Sequence, residues 1–475
     1  MLYINGEWVQ SVSGEELEVI NPATKEVISK VAKANEKDSK LAIEAADHAF
    51  KAWKSLPAKE RASYLKEAAA SLRKSIDSLA ETVTKEMGKP VNEAKGEINL
   101  AIDYLEWYAE EAKRVYGETI PASHKDKRLM VLKEPVGVTG AVTPWNFPVA
   151  MITRKLAPAL AAGCPVVIKP ASATPLSAIK VFEAFHQAGL PKGVANLVPG
   201  SASKVVGEMT RNPAVKKITF TGSTEVGKKL IRDSADTVKK VAMELGGHAP
   251  FIVFDDADID KAVEGAIASK FRNAGQTCIC TNRIYVQENV AEEFGKKLSE
   301  KVSQLKIGNG LEEGVAIGPL IDKEAYEKVE EHISDATDRG AKVLCGGRQA
   351  AVDSQDGWFY EPTVLHGATD EMVISTEETF GPVAPIYSFS TKEEAVKRAN
   401  HHQYGLAAYC FTKDLNQAYF MMEELEYGIV GINDPIPTTA QAPFGGVKES
   451  GIGREGGHQG IDEYLEDKFV SLNIG

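Results

Sequence analysis

Cysteine is scarce in this chain, basic residues are outnumbered by acidic ones, and no apolar run approaches a membrane span. Its 475 residues include only five cysteines, Cys164, Cys278, Cys280, Cys345 and Cys410. The number is odd and the spacing unlike that of zinc ligands, so neither a disulfide scaffold nor a metal site is expected, and a reducing cytoplasm is. Lysine and arginine number 55 against 67 acidic residues, a formal net charge of -12. That balance argues against a nucleic-acid partner, whose phosphates demand a basic face. It leaves the substrate open, because one local basic pocket can sit in an acidic protein. Crossing a bilayer takes roughly 18 consecutive apolar residues, so no membrane partner is expected either. The opening MLYINGEWVQ lacks the basic and apolar regions of a signal peptide. No repeat or low-complexity segment stands out.

What is present fits a large α/β protein. A hydrophobic fraction of 43% with 26% charged residues is ordinary for a globular chain, and the length predicts two or three domains. From Asp38 to Lys113 apolar residues recur at helical spacing, which predicts three helices. From Val136 to Phe254 short apolar runs (VGVTGAV, PVVIKP, ANLVPG, KKITFTGS, VAMELGG, FIVF) alternate with helix-like segments, which predicts βαβ units and a parallel sheet. A second alternating block runs from Asp258 to about Gly431. Gly117 to Glu134 and the last twenty or so residues read as strands outside both cores; exposed strands need partners, so they are expected to join copies of the chain.

Chemistry concentrates in three segments. FRNAGQTCICTNR sets Cys278 in a polar, glycine-containing stretch after a helix-like run, a setting for a nucleophilic thiolate. MELGGHAP places Glu244, a candidate base, before two glycines, and TPWNFP places Asn146 on a turn where its amide could face a developing oxyanion. Together, and in their order along the chain, the segments resemble those of the aldehyde dehydrogenase superfamily. The likeness runs from INGEW to PFGGVKESGIGREGG. It implies a Rossmann-like cofactor domain (residues 1–117 and 135–246), a second α/β catalytic domain (247–445) and a small β oligomerisation element (118–134 and 446–475) serving a homodimer or homotetramer. It also implies attack of Cys278 on an aldehyde, an oxyanion held by Asn146, and water activation by Glu244 to release a carboxylic acid. A glutamate doing this near neutral pH needs a raised pKa.

KKITFTGSTEVGKKL reads as strand, Gly222-Ser223 turn and helix, which offers backbone N–H groups to a pyrophosphate. Its Gly222 and Gly227 give a spacing other than the G-x-G-x-x-G fingerprint, and the superfamily shares that variant. The resemblance adds Trp145, Leu245, Glu378 and Phe380 to the cofactor site. Lys169, with Ser172 where NAD-preferring relatives often carry glutamate, tilts the expectation towards NADP, with NAD the alternative. A solvated strand-end lysine is an equal reading.

Within the superfamily, MITRK, EYGIVGIN and GREGGHQGIDEYLE are similar to the succinate-semialdehyde dehydrogenase subgroup. That match implies that Arg154, Arg272 and Thr438 hold the far carboxylate of the substrate, a task suited to the guanidinium fork. Structural ion pairs are the competing reading for both arginines. Pro435 departs from the subgroup, so glutarate semialdehyde or an uncharged aliphatic aldehyde stays open. Lys155 and Glu466 match positions tied to proton movement around the base, against a surface or ion-pair role for each. Cys280 is a candidate redox partner for Cys278, or a packed thiol. A cysteine hydrolase is the rival class. It would pair Cys278 with a histidine, and none lies near it in the sequence.

Overall fold

The architecture described is that of a computed structural model, covering residues 1–352 and 356–475. Four helices rather than the expected three occupy the first helical stretch: α1 (Glu36–Ser55), α2 (Ala58–Lys74), α3 (Ile76–Met87) and α4 (Val91–Glu111). The unexpected one is α3, whose buried Leu79, Ala80, Val83 and Met87 keep a helical period. Only Ser75 separates it from α2, so the two read as one run in the sequence. A capping box starts α1, with Asn35 Oδ1 accepting from Asp38 N and Asp38 Oδ2 accepting from Asn35 N. At the end of α3 stands Gly88 at φ 96°, the left-handed cap that glycine adopts without strain. The chain then turns through Lys89 and Pro90 into α4.

The next segments build an eight-stranded sheet whose five central strands are parallel. Their order is Ala195–Leu197, Val166–Lys169, Val138–Val142, Val215–Thr221 and Lys240–Glu244. Both Val138–Val142 and Val166–Lys169 are buried throughout, as continuous apolar runs covered on two faces should be. The covering helices include α5 (Ala150–Ala162), α6 (Pro175–Gln187), α7 (Ala202–Arg211) and α8 (Thr224–Ser234). Trp53, Phe182 and Phe185 anchor the core beneath them, each contributing about 1.5 to 3 kcal/mol by leaving water. From Val138–Val142 the chain builds outward to one side, then returns to the other at Val215–Thr221. Ligands of open α/β sheets bind outside the carboxyl ends of the strands at such a switch point.

A second sheet of seven strands runs Lys342–Cys345, Thr363–His366, Val383–Phe389, Thr281–Gln287, Ala249–Val253, Ala407–Phe411, Ile429–Ile432. It is parallel apart from its first strand. Cys278 lies between α9 (Ile259–Lys270) and the Thr281–Gln287 strand. Outside both sheets, Leu465–Asn473 pairs with Lys127–Pro135, which pairs with Glu118–Ile120. The segment 446–475 is therefore divided. Its end joins this outer sheet, whereas Gly451–Ile452 joins the first sheet, with Gly451 opposite Glu244.

Candidate active site

The approach to Cys278 is strained. Asn273, Ala274 and Gly275 follow one another at φ 53°, 53° and 76°, all left-handed. For the two non-glycine residues this costs on the order of 1 to 2 kcal/mol each, so surrounding contacts must hold the turn. Asn273 N donates to Glu93 Oε2 at 2.8 Å, and Asn273 Nδ2 donates to the carbonyl oxygens of Asn146 at 3.2 Å and Gln276 at 3.1 Å. Buried Gln276 returns a bond to Asn273 O at 3.1 Å and accepts from Ile321 N at 2.9 Å. Only glycine fits at 275, because an added Cβ would lie 2.1 Å from Gly381 O.

This turn delivers a half-buried Cys278 whose thiol is pushed up to about 12 by burial. Arg154 and Arg272 oppose that rise, and Glu378 and Glu244 add to it. The resting sulfur is thus a neutral thiol that must lose its proton to react. Among the described residues no hydrogen bond joins a histidine to Cys278, the feature expected of the hydrolase alternative. Cys280 is wholly buried, its Sγ 3.3 Å from Lys270 Nζ and donating to Lys270 O at 3.4 Å.

Glu244 ends the Lys240–Glu244 strand and is 3% exposed. Burial first, and the neighbouring Glu455 second, hold its carboxyl well above the usual range, against Arg154, Lys155 and Arg454. Its Oε2 has no hydrogen-bond partner among the described residues, which leaves it open to a water or substrate proton. Gly445 preserves that space, since a Cβ there would lie 2.8 Å from Glu244 Oε1. Asn146 is buried and donates one amide N–H to Gln276 O at 3.1 Å. A side-chain amide has two such hydrogens, so a second remains for a ligand.

The lysine expected beside the base is there, and the glutamate is a different one. Lys155 Nζ donates to Glu455 Oε1 at 2.6 Å and to Thr219 Oγ1 at 3.1 Å, all of it buried. Glu466 instead lies on the outer sheet, its side chain 59% exposed, 3.5 Å from Lys240 Nζ. The structure thus places Glu455, not Glu466, beside Lys155. Arg154 shares Glu455 at 3.4 Å, stacks on Phe444 and leaves its Nε without a partner among the described residues. Burial works against its charge, but Tyr104 and Glu455 more than offset it. Arg272 lies 5.4 Å from the Phe147 ring, and no side-chain hydrogen bond or ion pair engages it among the described residues. Thr438 Oγ1 likewise lacks a partner there.

At the carboxyl edge of the first sheet stand Trp145, Lys169, Gly222, Ser223 and Leu245. Ser223 caps α8, accepting from Val226 N at 3.4 Å. Gly227 lets α8 approach, since a Cβ there would meet Leu245 Cδ2 at 2.3 Å. Lys169 is 5% exposed, its ammonium pushed down to about 8 by burial and without a side-chain partner among the described residues. The Ser172 hydroxyl donates to Gly200 O at 3.5 Å. From the loop before the Val383–Phe389 strand of the second sheet, Phe380 meets Trp145 edge-on at 5.7 Å, and Glu378 accepts from Gly247 N at 3.4 Å. Burial pushes that carboxyl up to about 8.

Residues 8–470 match the aldehyde dehydrogenase family. The chain belongs to that family. It is 53% identical over 472 residues to glutarate-semialdehyde dehydrogenase of Pseudomonas putida, covering 99% of this chain and 97% of that protein. It is also 53% identical over 471 residues, with the same coverage, to the succinate-semialdehyde dehydrogenase [NADP(+)] of Escherichia coli. The crystal structure of succinate-semialdehyde dehydrogenase from Burkholderia pseudomallei superposes with a TM-score of 0.98 at 50% identity, covering 100% of this chain and 98% of the other.

An aldehyde dehydrogenase of this family uses NAD or NADP, and the carboxyl-edge residues fit such a group. A buried, unpartnered Lys169 calls for an oxygen-rich ligand, and the α8 N-terminus beyond Gly222 offers free N–H groups to a phosphate. Sequence reasoning missed Glu455 beside Lys155, and also the buried pair Lys89 and Glu97, whose Lys89 Nζ donates to the Asn146 carbonyl at 2.7 Å. Glu455 had one signal, an acidic residue set among glycines in GREGG; the other two had none.

Proposed function

We propose that this aldehyde dehydrogenase oxidises a short aldehyde ending in a carboxylate, succinate semialdehyde first, with NADP preferred to NAD. The observation that carries the substrate class is Arg272, a guanidinium without an ion pair among the described residues whose charge acts on the Cys278 thiol. A carboxylate is the natural partner for such a fork. Arg154 and Thr438 would complete the clamp. Glutarate semialdehyde is the second reading, favoured by the equally similar Pseudomonas putida relative. One methylene separates the two, worth about 1 to 3 kcal/mol in a fitted pocket. Lys169 and Ser172, with no acidic residue between them, support the NADP preference.

In this reading Cys278 Sγ adds to the aldehyde carbon after its proton leaves to solvent, which keeps the Glu244 carboxylate free for the later step. The free Asn146 N–H and the Cys278 backbone N–H hold the oxyanion. The dinucleotide, when bound against Trp145, Lys169, Ser223, Leu245, Glu378 and Phe380, supplies a hydride acceptor. Glu244 then takes a proton from water, which attacks the thioester carbon and releases the acid and the thiol. Glu455 and Lys155 set the field around that carboxyl. Under oxidation Cys280 would pair with Cys278, after giving up its contacts with Lys270.

Assembly into a homodimer or homotetramer is part of the proposal, supported by the exposed outer sheet. A cytoplasmic setting is supported by five free cysteines. No helix among the described residues is long and apolar enough to cross a membrane.

The test is kcat/KM with NADP and with NAD for succinate semialdehyde, glutarate semialdehyde and butanal, in the parent and in Arg272→Ala. A hydrogen bond to a charged group is worth roughly 1.5 to 3 kcal/mol, so the semialdehydes should lose about ten- to a hundredfold or somewhat more and butanal far less. Equal losses on all three would make Arg272 structural, and a parent favouring butanal would overturn the substrate class. Arg272 is a cleaner probe than Arg154, whose loss would also disturb Glu455.

A further inference from the structure

We propose that Lys89, held by Glu97, is a positioning residue that fixes Asn146 and so aims its amide at the oxyanion. The inference rests on the reading of Asn146 as the oxyanion donor.

Lys89 is 1% exposed, in the turn between α3 and α4. Its Nζ donates to Glu97 Oε2 at 2.6 Å and to the Asn146 carbonyl at 2.7 Å, and sits 3.7 Å from the centre of the Phe147 ring. Glu97 Oε1 accepts from Val149 N at 2.7 Å and Ala150 N at 3.2 Å, which open α5, the helix carrying Arg154 and Lys155. One carboxylate thus orients the ammonium and caps α5. The Asn146 carbonyl also accepts from Asn273 Nδ2, and Asn273 N is held by Glu93, one turn before Glu97 on α4. The start of α4 therefore grips both the proposed oxyanion donor and the turn leading to Cys278, which belong to different sheets.

Stability alone does not account for this pair. Desolvating two ions costs several kcal/mol each, and well-packed apolar residues often serve as well or better. What an apolar pair lacks is a directed bond to the Asn146 carbonyl. Lys89 reaches that carbonyl but not the amide, so it acts through the residue it holds.

The experiment is a cycle combining Lys89→Met/Glu97→Gln, which removes both charges of the pair together, with Asn146→Ala. In the parent background kcat for succinate semialdehyde should fall roughly ten- to a hundredfold, the effect of an ångström-scale misplacement, with its KM and the NADP Kd within about twofold. In the Asn146→Ala background the same change should cost little more. Unchanged alkylation of Cys278 and an unchanged melting curve would separate misaimed from misfolded protein. Lys89→Gln, which keeps an N–H donor, should lose less than Lys89→Met. Should the paired variant not fold, Lys89→Gln/Glu97→Gln enters the cycle in its place, removing both charges together while keeping acceptors for Val149 N and Ala150 N. Losses that multiply in both backgrounds would overturn the inference and leave Asn146 standing. Full kcat in Asn146→Ala would overturn the oxyanion reading and the inference with it.

Discussion

Two titrating side chains, Cys278 and Glu244, both have their pKa raised by burial. Both become reactive by losing a proton, so reactivity rises with pH. Iodoacetamide labelling of Cys278 in the resting enzyme should have its midpoint above the roughly 8.5 of a free cysteine, and Arg272→Ala should raise it further. A midpoint below about 7 would contradict this account of the thiol. The same labelling, after peroxide and then dithiothreitol, reads the proposed pairing. Recovery in the parent and its loss in Cys280→Ala support a disulfide; equal recovery in both leaves Cys280 as packing against Lys270. Cys278, Glu244 and Asn146 stood out as candidates because each lies in a distinctive short segment. Glu455 did not, because its partner Lys155 lies 300 residues away in the chain. Glu466 had the same residue type but faces solvent.

Among elements, strands of the first sheet were the most legible, since a continuous apolar run of four to eight residues between helix-like segments is too short for a helix and too apolar for a surface loop. The separation of α2 from α3 was hidden by a one-residue junction. Hidden too was the left-handed turn at Asn273 and Ala274, which Ala274 disfavours and which contacts with Glu93, Asn146 and Gln276 hold. The outer sheet exposes Phe469, Leu472 and Leu132 at 60%, 49% and 42%. An apolar surface on exposed strands predicts a partner. Light scattering should therefore find the parent as a dimer or tetramer and Phe469→Asp shifted towards smaller species. A monomeric parent would overturn the proposed assembly.

For the whole molecule, the switch point of the first sheet and the loop entering the second are the two places from which the site is built. Two α/β blocks and an outer β element were legible as patterns. Contacts between blocks were not, because the pairing of Asn273 with Glu93, or of Phe380 with Trp145, depends on how the blocks meet. The central claim is that Cys278 carries the acyl group and Glu244 is needed to release it. Its most direct test is intact-protein mass spectrometry of Glu244→Gln after mixing with succinate semialdehyde and NADP. The account predicts about one equivalent of reduced cofactor, little further turnover, and a succinyl increment on the peptide containing Cys278, absent from Cys278→Ala. Full steady-state turnover of Glu244→Gln with no adduct on Cys278 would contradict it.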